Sequence, residues 1–156
     1  MTGLARPLLV FFGILIFGQI FVAILQSVLD LGSAAVGASI GLGVAAAGGA
    51  GTSFAGTESR MPTAREKFVF ALVALFVGSV VALATFWGIF AWLGMPFTID
   101  NIALAAGSGP QEAAAFRSYL PLVLVGAAVV NLLIVYIGFG LGARSALKRG
   151  GQTGAS

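Results

Sequence analysis

Apolar positions along this chain fall into four long runs separated by short polar segments. The first extends from Pro7 to Leu29, the second from about Leu31 to Ala55, the third from Phe68 to Leu93 and the fourth from Tyr119 to Gly142. Each is long enough to cover the ~20 residues an α-helix needs to cross a bilayer core. The pattern predicts an all-α polytopic membrane protein, a bundle of four transmembrane helices in one domain over residues 1–142. Residues 143–156 form a short basic tail, expected to be disordered. The first run exceeds the about 7–15 apolar residues of a signal peptide, so it is read as a retained helix.

The polar segments assign the connections. A few residues around Asp30 to Ser33 join the first two helices in a tight hairpin. In TESRMPTAREK, Thr63 and Glu66 stand at capping-box spacing. The Thr63 hydroxyl would accept from the Glu66 N–H and the Glu66 carboxylate from the Thr63 N–H, so the third helix starts there. In the segment after Met95, FTIDNIALAA predicts a short interfacial helix, GSGP breaks the chain, and QEAAAFRSY is helical again with Pro110 in its first turn.

The second run is unusual in its small side chains. Of the 26 residues in LGSAAVGASIGLGVAAAGGAGTSFAG, 20 are Gly, Ala, Ser or Thr. Ser33, Gly37, Gly41, Ala45, Gly49 and Ser53 form one i, i+4 ladder, and Ala35, Ser39, Gly43, Ala47, Gly51 and Ala55 a second on nearly the opposite face. Helices in lipid associate through such close backbone approach. The second helix is therefore expected at the centre of the bundle, or at a contact with a second copy. The third helix carries a narrower face of Ala71, Ala74, Gly78, Ala82 and Thr85. Gly37, Gly41, Gly49 and Gly78 are the candidate helix-packing residues.

Three amides lie within the apolar runs. Gln19 and Gln26 share a stripe of the first helix with Asp30, and Asn131 sits near the middle of the fourth, beside Ala127, Gly138 and Gly142. Gln19 and Asn131 fall at matched depth, so both are expected in the bundle interior and in contact. They act there as structural glue between helices, or they line a polar path.

Composition narrows the chemistry. The chain is 59% hydrophobic and 8% charged, with no Cys and no His. No disulfide, haem, iron–sulfur, zinc or Ser-His-Asp chemistry is expected, and no cofactor or metal is implied. No ionisable residue lies deep in a run, where proton-coupled pumps and ion pathways usually carry one. No phosphate-binding Gly loop or nucleophile–base pair is found, so the chain is not read as an enzyme. Seven of eight Lys/Arg fall in the N-terminal lead, the loop after the second helix and the tail. By the positive-inside rule both termini are expected in the cytoplasm. The net charge of +3 is membrane-flank charge and not a nucleic-acid footprint. The partners expected are membrane lipids and a second copy of the chain or another membrane protein.

The stretch GASIGLGVAAAGGAGTSFAGTESRMPTAREKFVFAL resembles a small bacterial four-helix inner-membrane family, the ABZJ-type proteins. The likeness rests on the small-residue second helix, Phe54 near its end, and Arg60, Pro62, Thr63 and Glu66 opening the third. It implies a multipass bacterial inner-membrane protein and no particular activity. The functional expectation is an accessory or interaction protein working through helix packing; the alternative is a small dimeric transporter or permeation unit.

Overall fold

The structure, a computed structural model, describes residues 2–29, 34–105 and 110–153. It is all-helical, about 90% helix, with no strand among the described residues. A 3-10 turn, Thr2–Leu4, leads into α1 (Ala5–Leu29). Then follow α2 (Ala34–Glu58), α3 (Ala64–Trp92), the short α4 (Ile99–Ala105) and α5 (Pro110–Thr153). Two helices are long and apolar enough to cross a membrane, Ala64–Trp92 and the Arg117–Gly150 part of α5.

One sequence expectation is corrected. The fourth run is the middle of a 44-residue helix that starts at Pro110 and continues to Thr153, so most of the basic tail is helical. Ala143 is buried there, and ARSALKR is rich in good helix formers, so the helix has reason to continue past Gly142. The chain divides into two compact units, Met1–Ala74 with Asn131–Ser156, and Leu75–Val130. Among the described residues, Phe90 is the one buried apolar residue of the second unit.

The core of the first unit is a run of aromatic rings, one from each of four helices. Phe11 of α1 meets Phe70 of α3 edge-on at 5.7 Å between centroids. Phe70 stacks on Phe139 of α5 at 4.2 Å. Phe139 meets Phe54 of α2 edge-on at 5.6 Å. All four rings are buried. Each such contact is worth about 0.5–1.5 kcal/mol beyond the area it buries. Ala46, Ala47, Ala50, Ala71, Ala74 and Val135 fill the spaces between them.

Small residues let the helices come close enough for these rings to meet. A side chain at Gly142 of α5 would run into the backbone of Gly48 of α2, with its Cβ 2.7 Å from the carbonyl carbon. A Cβ at Gly51 would lie 2.9 Å from the Ala143 nitrogen, and one at Gly138 would lie 2.8 Å from the Ala47 Cβ. The Thr52 hydroxyl donates across this crossing, within 3.1 Å of the Gly48 carbonyl and 3.3 Å of the Gly142 carbonyl. On its other side α2 meets α1: a Cβ at Gly49 would meet the Ile14 Cδ1 at 2.5 Å, and Leu42 of α2 lies over Gly18 of α1. The two sides of α2 correspond to the two ladders, with Gly49 toward α1, and Ala47 and Gly51 toward α5.

In the second unit, α3 ends in a Schellman motif. Gly94 adopts φ 68°, and the N–H groups of Met95 and Gly94 donate to the carbonyls of Phe90 at 2.9 Å and Ala91 at 3.1 Å. The Thr98 hydroxyl then caps α4 by accepting from the Asn101 N–H at 3.3 Å. Arg117 binds both carboxylate oxygens of Asp100, at 2.9 and 2.7 Å. This pair is well exposed and is worth at most about 1 kcal/mol.

Gly142→Ala and Gly51→Ala should each sharply lower the thermal unfolding temperature of the chain in detergent, because the new methyl group meets backbone atoms that no rotamer change can move. Gly126→Ala has open space around the added carbon and should be neutral or stabilising by up to about 1 kcal/mol. Equal effects at the three positions would refute the backbone-contact account.

Candidate functional site: the α2–α3 turn and the open helix faces

The turn between α2 and α3 holds the densest polar network of the first unit. Alpha2 ends as Ser59 enters the left-handed region at φ 52° and its N–H donates to the Ala55 carbonyl at 2.8 Å. Side chains other than Gly and Asn are uncommon there. Alpha3 opens with the reciprocal capping box that the spacing predicts: the Thr63 N–H donates to the Glu66 carboxylate at 2.8 Å, and the Glu66 N–H to the Thr63 hydroxyl at 3.2 Å.

Arg60 adds what spacing does not reveal. Its guanidinium binds the Glu66 carboxylate in a fork, at 2.9 and 2.7 Å, and reaches Glu58 at 3.5 Å. It also lies 5.2 Å from the centroid of the buried Phe54 ring. One side chain thus fastens the turn both to the cap and to the end of the aromatic core. The nearest sequence signal was the lone Arg six residues before a capping Glu, and no periodicity rule reads that spacing.

Both groups precede the apolar part of α3, which begins at Phe68. The Arg60 guanidinium, and next to it the Thr63 N–H, hold the Glu66 carboxyl down to about 2 from an ordinary 4.5, against a smaller upward push from burial. Glu66 in turn raises Arg60 above its ordinary value. Beside this network lies a cleft of ≈ 500 Å³, with Leu4, Phe54 and Val69 as its apolar wall and Glu58, Arg60, Arg65 and Glu66 among its polar lining. Among the described residues no group of three or more His, Cys, Asp or Glu is placed to hold a metal.

The amides do not occupy the interior position expected of them. Gln19 and Asn131 are both exposed, no buried polar residue occurs among the described ones, and no hydrogen bond joins the two. Packing direction explains this. Alpha1 turns Val10, Ile14 and Gly18 toward α2, and Gln19, one residue on, is rotated ~100° from that stripe. Asn131 lies about two turns before Gly138, which is in close approach to Ala47 of α2. The surroundings of Gln26 and Gly37 lie outside the described residues.

Of the four candidate packing glycines, the three whose surroundings are described divide in the same way. Gly49 is in contact with α1, whereas Gly41 and Gly78 have open space where a Cβ would stand. Gly41 and Val44, Gln19 and Phe17, and Asn131 and Leu133 are exposed on α2, α1 and α5 respectively.

Thr63→Ala should cost about 1 kcal/mol of unfolding free energy through loss of the N-cap. Because the Glu66 pKa is depressed in the folded chain, its stabilising contribution is complete above about pH 4.5 and is lost as pH falls toward 2. Unfolding temperature measured against pH should fall along this acid limb in the wild type, and Glu66→Gln should remove that component. An identical acid limb in the variant would show that the Arg60–Glu66 fork does not couple to folding.

No family model, no curated protein and no solved structure matches this chain.

Proposed function

We propose that this chain is a multipass membrane protein of the bacterial inner membrane, an accessory or interaction protein that works by presenting packed helix faces to another membrane protein or a second copy of itself. The observation that carries this reading is the contrast between apolarity and burial. In the most apolar windows of α3 and α5 only 17% of the residues are buried. A core helix of a soluble domain with that composition would bury most of its residues. Lipid, and partner helices in lipid, are the surroundings in which such a surface is stable. The likeness to the ABZJ-type proteins in the second helix and the following turn supports the same placement. A sevenfold excess of Lys/Arg in the segments flanking one set of helix ends supports cytoplasmic termini.

The exposed small-residue positions give the interaction reading its content. Among the described residues nothing stands within 4 Å of where a side chain at Gly41 would begin, which leaves that position open to a neighbour. The second reading, a dimeric transporter or permeation unit, is favoured by the exposed amides Gln19 and Asn131, which would line a wet path between copies.

Reporter fusions at Met61 and at Pro96 should report opposite sides of the membrane; the same side for both would refute the spanning arrangement. Gly41→Leu should leave the chain folded but abolish its co-purification with a partner or copy, whereas Gly49→Leu should impair folding itself. The chain contains no Cys, so Gln19→Cys provides a single labelling site. Protection from a water-soluble thiol reagent in intact membranes is expected for an interaction face. Rapid labelling would favour the transporter.

A further inference from the structure

Seven of the eight basic residues belong to the first compact unit, and its internal contacts gather them at one end. Arg6 at the start of α1 donates to the Thr57 hydroxyl near the end of α2, at 3.4 Å. Arg60, Arg65 and Lys67 lie in the turn that follows α2 or in the first turn of α3. Alpha5 runs parallel to α2, with Gly142 against Gly48, and its Ala146, Leu147 and Gly150 line a cleft of ≈ 350 Å³ together with Ala55, Gly56 and Ser59. The last turns of α5, which carry Lys148 and Arg149, therefore reach the same end, with Arg144 one turn behind.

The acids at this end do not neutralise that charge. Glu58 and Glu66 are both bound by Arg60. Lys67 lies 5.3 Å from the centroid of the Tyr136 ring. Arg6, Arg65, Arg144, Lys148 and Arg149 are exposed, and none has a carboxylate partner among the described residues. These five cations are contributed by three helices and surround the bundle end. They form no stripe along one element, as a nucleic-acid groove would require. They also stand where long apolar segments begin or end: Arg65 is three residues before Phe68, and Arg144 is three after Leu141.

We propose that this basic end is a docking surface for anionic phospholipid headgroups, and that the chain selects such lipids from its surroundings. This rests on the membrane-spanning reading above. Long Lys and Arg side chains at helix ends reach the headgroup level while their stems cover apolar surface. Each cation near an anionic leaflet adds to the attraction within a Debye length. Because α5 packs on α2 through Gly51 and Gly142, Arg6 of α1 is tied to Thr57 of α2 and α3 is joined to α5 by the Phe70–Phe139 stack, the five charges are presented together, so they act on the same few lipids.

The test reconstitutes the full chain in phosphatidylcholine vesicles and measures the motionally restricted fraction of spin-labelled phosphatidylglycerol against spin-labelled phosphatidylcholine. The wild type should prefer phosphatidylglycerol by about threefold or more. That ratio should fall toward one at about 0.5 M NaCl, where the screening length is a few ångströms. The variant Arg144→Gln/Lys148→Gln/Arg149→Gln should lose most of the preference while keeping the wild-type circular dichroism spectrum, since its positions are exposed. Arg117→Gln, in the other unit and paired to Asp100, should keep it. A ratio of one in the wild type, or a preference untouched by salt and by the triple variant, overturns the proposal. So does binding of a random oligonucleotide by the detergent-solubilised chain without lipid selectivity, which assigns the charge to nucleic acid. Release of the chain from cell membranes by alkaline carbonate alone would instead refute the membrane-spanning reading, and this proposal with it.

Discussion

The rest of the first unit depends on the approach of α2 to α5. Gly51 and Gly142 carry no side chain where one would meet the opposing backbone. That absence allows Phe139 to reach both Phe54 and Phe70, and through Phe70 the ring of Phe11 on α1. Removing side-chain volume at the crossing allows large rings to fill the space beside it. The arrangement gains density of van der Waals contact at the crossing. A methyl group at Gly142 would therefore loosen several ring contacts at once.

The polar turn extends the same core. Arg60 lies against the Phe54 ring and grips Glu66, which in turn closes the capping box with Thr63. Packing, cation–π contact, ion pair and helix cap follow one another over fewer than twenty residues of chain. The geometry of the turn is thus set from the bundle side as well as by local hydrogen bonds. This is consistent with Ser59 holding a left-handed conformation that a non-glycine residue seldom adopts. It also leaves a structural role for every charged group of the turn except Arg65, which has no ion-pair partner among the described residues.

Alpha2 is the element on which structure and proposed function meet. Its C-terminal half is covered on two sides, by α1 at Gly49 and by α5 at Gly51. Farther toward its N-terminus Gly41 and Gly43 have open space, and the exposed amides of Gln19 and Asn131 belong to the same unit.

The sequence by itself determined the helical class, the start of α3 at Thr63, the short helix around FTIDNIALAA and the two small-residue faces of α2. These follow from local rules: hydropathy, cap chemistry and a fixed helical period act within a few residues of each other. It did not determine which stripe of α1 and α5 turns inward. Gln19 is one residue from Gly18, and that single residue rotates it away from the α2 contact, so an amide at the expected depth stands on the exposed side. It also did not determine how far α5 runs, because Ala143 continues the helix by packing near Gly51, a partner about ninety positions away in the chain. Nor did it reveal the grip of Arg60 on Phe54 and Glu66, or the gathering of basic residues from three separate segments at one bundle end. Contacts between distant segments depend on the direction in which each helix packs, and that direction was decided by where two backbones could touch.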